Sequence, residues 1–182
     1  MGSGLKPALD MNRIHQIEEY AKSVMIGSIA HDFMHVDRVR QWAIKIAQQE
    51  RYPDLDQVEA AALLHDIGLS RRDRKRHAEI GAELATALLQ DKQLFTKDEI
   101  AEIAHAIRFH SSLHGEEKLL QMLRDADTLD LLGAVGVMRA CTSKHDRPEY
   151  PPELVKGETW GWTASQFTER FRQFHGDVSS GK

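Results

Sequence analysis

Imidazoles and carboxylates recur in this chain at positions where a helical period would turn them away from water. His35 is followed by Val39, Trp42 and Ile46 at offsets of four, seven and eleven, so the imidazole shares a stripe with large apolar groups. Val58, Ala61, Ala62 and His65 form a second such stripe, with Asp66 directly after it, and Leu120, Leu123, Asp127 and Leu131 form a third. Three separate segments therefore send His35, His65, Asp66 and Asp127 toward one interior. A lone inward histidine is usually a hydrogen-bonded core residue, and Asp127 has Arg124 and Arg139 as alternative partners. Two inward carboxylates without a cation would nevertheless leave net negative charge in the core, which is costly. A divalent metal ion meets that need, and the four residues are its expected ligands.

The same geometry turns His77, with Ile80, Leu84 and Leu88, and His110, with Ile100, Ile103 and Ile107, inward near helix ends. They suit either a second metal or hydrogen bonding and proton transfer around the first, since imidazole titrates near neutrality. Histidine with carboxylate suits Mn, Fe, Co, Ni or Zn, and ligand type alone does not separate them. Four protein ligands on an ion that accepts six leave room for water and a substrate oxygen, the mark of a catalytic site. Such an ion lowers the pKa of the water bound to it. On this reading Asp66 both ligates and orients the attacking water.

Helices must position these groups. Apolar spacings of three and four dominate while alternating strand patterns are scarce, so the chain is expected to be all-α. The pattern predicts helices at 11–26, 33–49, 55–67, 77–89, 97–109, 116–132, 134–143 and 164–174, packed as a compact single-domain bundle. Asp32 is placed to cap the second, Pro53-Asp54 opens the third, Gly68 ends it, and Thr96 with Glu99 has the spacing of a capping box. Residues 1–10 read as a flexible leader and 11–177 as the domain. Within it, 145–163 carries three prolines and Trp160-Gly161-Trp162, which predicts an ordered flap or interface loop.

Composition narrows the function. With 182 residues, 41% of them hydrophobic, the chain can bury one core, and it has no apolar run long enough to span a bilayer. A net charge of -4 and a pI near 6.2 argue against a stable nucleic-acid partner, though not against single nucleotides. One cysteine and no secretory leader pattern make the cytoplasm the default. The basic run Arg71-Arg72-Asp73-Arg74-Lys75-Arg76 is either a solvated loop or a phosphate-steering one.

HDFMHVDRV around His35, ALLHDIG around His65-Asp66 and DADTLDLLGAVGVMRA around Asp127 together resemble the HD-domain superfamily of metal-dependent phosphohydrolases, over roughly residues 30 to 140. The resemblance implies an HD-type helical bundle with a metal held by His35, His65, Asp66 and Asp127, and it makes manganese the first choice, with Mg also possible. The third block is similar to that of small bacterial nucleoside-triphosphate pyrophosphohydrolases, which puts Asp130 near the cleft as a substrate contact. HAEIGAEL around His77 and IRFHSS around His110 resemble binuclear enzymes such as cyclic-nucleotide phosphodiesterases, except that those carry two adjacent histidines where this chain has His110-Ser111.

The expected activity is hydrolysis of a nucleotide or other small phosphorylated metabolite, as a triphosphate pyrophosphohydrolase or nucleotide phosphatase. Phosphodiesterase and non-catalytic nucleotide-binding module are the rivals, with a structural helical adaptor behind them. Arg38 can grip phosphate as a planar fork or pair with Asp37 or another acid, and Lys75 and Arg76 can neutralise a polyphosphate. His77 or His110 is the expected donor to the leaving group. Tyr150, Trp160 and Trp162 suit stacking on a base, packing on their own domain, or sealing a homo-oligomer.

Overall fold

The computed structural model of the chain describes residues 11–25, 32–71, 73–112 and 114–142. Among these residues there are seven α-helices and no strand: α1 (Met11–Val24), α2 (Phe33–Gln49), α3 (Leu55–Leu64), α4 (His77–Asp91), α5 (Lys97–Phe109), α6 (Lys118–Leu129) and α7 (Gly133–Thr142), with a short 3-10 turn at Ile67–Arg71. None of the described helices is long and apolar enough to cross a membrane. The leader, the 145–163 flap and the eighth expected helix lie outside the described residues, as does the end of the proposed domain.

Local chemistry starts the helices where the sequence suggested. The Asp32 side chain accepts from His35 N at 3.0 Å, and Asp54 accepts from Gln57 N at 3.2 Å. Thr96 Oγ1 accepts from Glu99 N, while Glu99 Oε2 accepts from Thr96 N at 2.8 Å, a reciprocal capping box. α3 is the central helix. It packs on α1, α2, α5 and α6, and Val58 through Leu64 are all buried. Apart from Glu59 these residues are apolar, as a helix packed on several sides requires. α1 is clamped onto it by Arg13, whose Nε donates to Asp56 Oδ2 at 2.7 Å and whose guanidinium lies over Phe95.

The third helix departs from expectation at its end. It stops at Leu64 rather than Ile67, and residues 65 and 66 form a turn leading into the 3-10 segment, closed by Leu69 N donating to Asp66 O at 3.0 Å. This turn carries Asp66, whose side chain faces the same site as His65. Gly68 makes room for α4. A Cβ there would lie 1.9 Å from the His77 carbonyl oxygen and 2.6 Å from Gly81 N, so its absence lets the first turn of α4 seat directly on the turn that carries Asp66. Gly81 completes the seat, facing the His65 carbonyl oxygen. The sixth helix is likewise shorter than expected, running from Lys118 to Leu129, because the backbone turns at Asp130 and Leu131 before α7 begins.

Candidate metal centre

Six ionisable side chains from five places in the chain meet at the end of α3. His35 comes from α2, His65 and Asp66 from the turn after α3, His77 from the first residue of α4, His110 from the end of α5, and Asp127 from the last turn of α6. They form two groups in which one ligand atom from each residue lies within 4.8 Å of the others: His35, His65 and Asp127, and Asp66, His77 and His110. Asp66 joins them. Its Oδ2 is 3.5 Å from both His35 Nε2 and His65 Nε2, while its Oδ1 is 3.6 Å from His110 Nε2 and 3.8 Å from His77 Nε2. Asp127 Oδ1 lies 3.6 Å from His35 Nε2.

The orientation of the four rings is set from behind. His65 Nδ1 donates to Ala62 O at 2.8 Å, His110 Nδ1 to Ile107 O at 2.7 Å, and His77 Nδ1 to Arg74 O at 2.8 Å, each to a carbonyl three residues earlier. His35 Nδ1 instead lies 2.8 Å from Asp130 Oδ2. Carbonyls and carboxylates only accept, so in each ring the proton belongs on Nδ1 and the Nε2 lone pair faces the cluster. His35 Nε2 and His65 Nε2 are 3.3 Å apart, with Asp66 beside both. Two lone pairs at that distance, next to carboxylates, repel unless a cation or proton lies among them. A divalent ion therefore fits this donor set, with Nε2 and carboxylate oxygen as its ligand atoms.

In the metal-free protein, protons partly take that role. Burial opposes charge on His35, but hydrogen bonds to Asp130 and Asp66 and the charge of Asp127 hold its pKa above the ordinary imidazole value. His110 is raised in the same way, burial being outweighed by Asp66 and Asp127. His65 goes the other way: burial pushes it down to about 4, with the neighbouring His35 and His110 adding to the effect.

The substrate-side expectations have more varied placements. Arg38 forms a fork on Asp130, with Nε donating to Oδ1 at 2.6 Å and Nη2 to Oδ2 at 3.1 Å, and Asp37 pairs with Arg40 instead. Asp130 also accepts from Arg139 Nη1 at 3.0 Å, and its side chain is only 2% exposed. Both of its oxygens are thus taken by protein donors. Burial opposes its charge, yet the His35 and Arg38 hydrogen bonds keep its pKa below the usual carboxylate value. Lys75 and Arg76 are exposed in the loop before α4, where Arg76 Nε donates to Glu79 at 2.8 Å. His105 pairs with Glu117 away from the cluster. Arg139 is a contact that sequence reasoning offered to Asp127 rather than Asp130. The available signal was Asp130 itself, a second acid one turn beyond an inward one, which required a counter-charge.

The chain belongs to the HD-domain family, whose model matches residues 17–132. It is 32% identical over 143 residues to the uncharacterised protein YpgQ of Bacillus subtilis (strain 168), a match spanning 72% of this chain and 66% of that relative. The crystal structure of a predicted HD superfamily hydrolase from an uncultured Thermotogales bacterium is similar with a TM-score of 0.60 and 31% identity, over 90% of this chain and 84% of that one. The crystal structure of Bacillus subtilis YpgQ in complex with ADP shares the fold, with a TM-score of 0.59 and 22% identity over 90% of this chain and 88% of that one.

Proposed function

We propose that the protein is a metal-dependent phosphohydrolase acting on a nucleotide. The observation that carries this reading is the convergence of four Nε2 atoms and two carboxylates whose only compatible occupant is positive charge. His35, His65, Asp66 and Asp127 would hold the first divalent ion, Mn²⁺ by preference. When bound, it supplies Lewis acidity toward a phosphoryl oxygen and lowers the pKa of water. Asp66, facing both groups of histidines, orients the attacking water. His77 and His110 either hold a second ion with Asp66 or give the leaving oxygen its proton, and the metal content per chain separates these roles. The exposed Lys75 and Arg76, just before His77, draw a polyphosphate toward the cluster. Arg38, one-third exposed beside the ligands, meets the phosphate with whatever of its fork Asp130 leaves open.

A nucleotide is favoured because the related YpgQ has been crystallised with ADP. Within that class, cleavage of a triphosphate to pyrophosphate, or of a terminal phosphate, is the first reading. The Asp66, His77 and His110 group favours cyclic-nucleotide phosphodiesterase as the second, because two-ion sites suit in-line displacement on a diester. The test is incubation with Mn²⁺ and nucleoside mono-, di- and triphosphates, cyclic nucleotides and sugar phosphates, with product identification and metal analysis. Pyrophosphate from triphosphates establishes the first reading and ring opening the second. Bound metal without turnover of any substrate sinks the enzyme reading and leaves a nucleotide-binding module.

A further inference from the structure

We infer that Asp130 is a positioning residue, with Arg38 and Arg139 as its counter-charges, that keeps the His35 proton on Nδ1 and so keeps Nε2 available to a metal. The inference rests on the metal-site reading of the proposed function but names a different residue and a different role from substrate contact. His35 differs from the other three cluster histidines. His65, His77 and His110 have Nδ1 on a main-chain carbonyl of their own segment, three residues back, so local backbone fixes each tautomer. His35 sits in the first turn of α2, and its Nδ1 meets a side chain 95 residues away, at the start of the turn after α6.

That carboxylate is built for the task. It is buried, so an uncompensated charge there would be costly, and two guanidiniums from two helices supply the compensation: Arg38 as a fork from α2 and Arg139 from α7. Arg38 lies three residues after His35, so the same turn of α2 delivers both the ring and the cation that holds the ring's acceptor in place. A carboxylate on the far nitrogen of a ligating histidine fixes the ring and raises its donor strength, and loss of such a partner commonly weakens metal binding by about 10- to 100-fold. An amide in the same place would not impose a tautomer, because it can accept from Nδ1–H or donate to Nδ1.

The experiment compares wild type with Asp130→Asn in the full-length, metal-free protein, reading ¹H–¹⁵N correlations of the His35 and His110 rings at alkaline pH, where neutral rings report tautomer directly. Mn²⁺ binding is then measured by titration. Wild type is expected to show Nδ1–H at both rings. Asp130→Asn should leave His110 as it was, move His35 toward a mixture, and weaken Mn²⁺ binding by about 10- to 100-fold. A general loosening would move both rings, and that result overturns a positioning role, as does a His35 tautomer and Mn²⁺ affinity unchanged within about twofold. If the variant does not fold, wild type still decides: a His35 ring with its proton on Nε2 refutes the inference. If wild type binds no Mn²⁺, the metal reading fails separately, while the ring comparison still tests Asp130.

Discussion

The two halves of the cluster are held in different ways. His35 and Asp127 are mounted on α2 and α6 and His65 on the turn at the end of α3, these three helices pack directly on one another, and the His35 and His65 side chains are 1% exposed. In the other half His110 is equally buried at the end of α5, and what differs is His77, whose place depends on how α4 seats. His77 is its first residue, its side chain is 20% exposed, and its ring is set by Arg74 O in a solvated basic loop. The first half is fixed by core packing, whereas the place of His77 in the second depends on a close backbone approach at Gly68 and Gly81. The first half should therefore bind more tightly and tolerate less, and the second should be lost first when the scaffold is disturbed.

The largest effect is expected from Asp66→Ala, which takes a ligand from both halves at once. Turnover of any substrate found should fall to background and metal analysis should show the bound metal lost. Retention of one tightly held ion would mean that Asp66 does not join the halves. Next, His35→Ala and His77→Ala should separate them. The former abolishes activity and high-affinity Mn²⁺ binding, whereas the latter keeps the first ion and loses activity partially, as seen in paired calorimetric titrations. Equal effects would erase the distinction between the halves.

Gly68→Ala tests the seat. Its Cβ would collide with the backbone at His77, so overpacking should lower stability by about 1–3 kcal/mol, read from the thermal midpoint. The role of His77, whether ligation or proton donation, should suffer while Mn²⁺ affinity at His35, His65 and Asp127 changes little. Acidity gives a graded effect. Because the metal-free pKa values of His35 and His110 are raised, each must shed a proton at pH values below them before it can ligate, so Mn²⁺ affinity should rise with pH, by about tenfold per unit for each proton released. His65, pushed down to about 4, is already neutral above pH 5 and should add nothing to that slope. Affinity independent of pH up to the ordinary imidazole value of about 6.5 would contradict the raised pKa values of His35 and His110 in the metal-free protein. The smallest effect is expected at Lys75 and Arg76: replacing both by Ala should raise KM a few-fold at low salt and less at high salt, because exposed charges act through a screened field.

Much of this was legible in the residues. The pairing of inward stripes with ionisable ends identified His35, His65, Asp127, His77 and His110 as facing an interior, because helical period converts sequence offset into direction. Asp32, Asp54 and the Thr96 capping box marked helix starts, because those side chains act on their own first turn. The third helix ends at Leu64, three residues before the expected Ile67, and Gly68, read as its stop signal, lies instead in the 3-10 turn on which α4 seats.

What the amino-acid order determined by itself was therefore direction: which side chains point inward, where helices begin, and that two carboxylates and several imidazoles need a cation. Family membership was also contained in the three short blocks. Only the tertiary structure decided partnership. That Arg38 and Arg139 both serve Asp130, that Asp130 rather than a main-chain carbonyl backs His35, and that Asp66 divides its oxygens between two pairs of histidines depend on distances between segments up to 95 residues apart. Periodicity reports the face a side chain occupies on its own helix, whereas the group it meets depends on how the helices pack against one another.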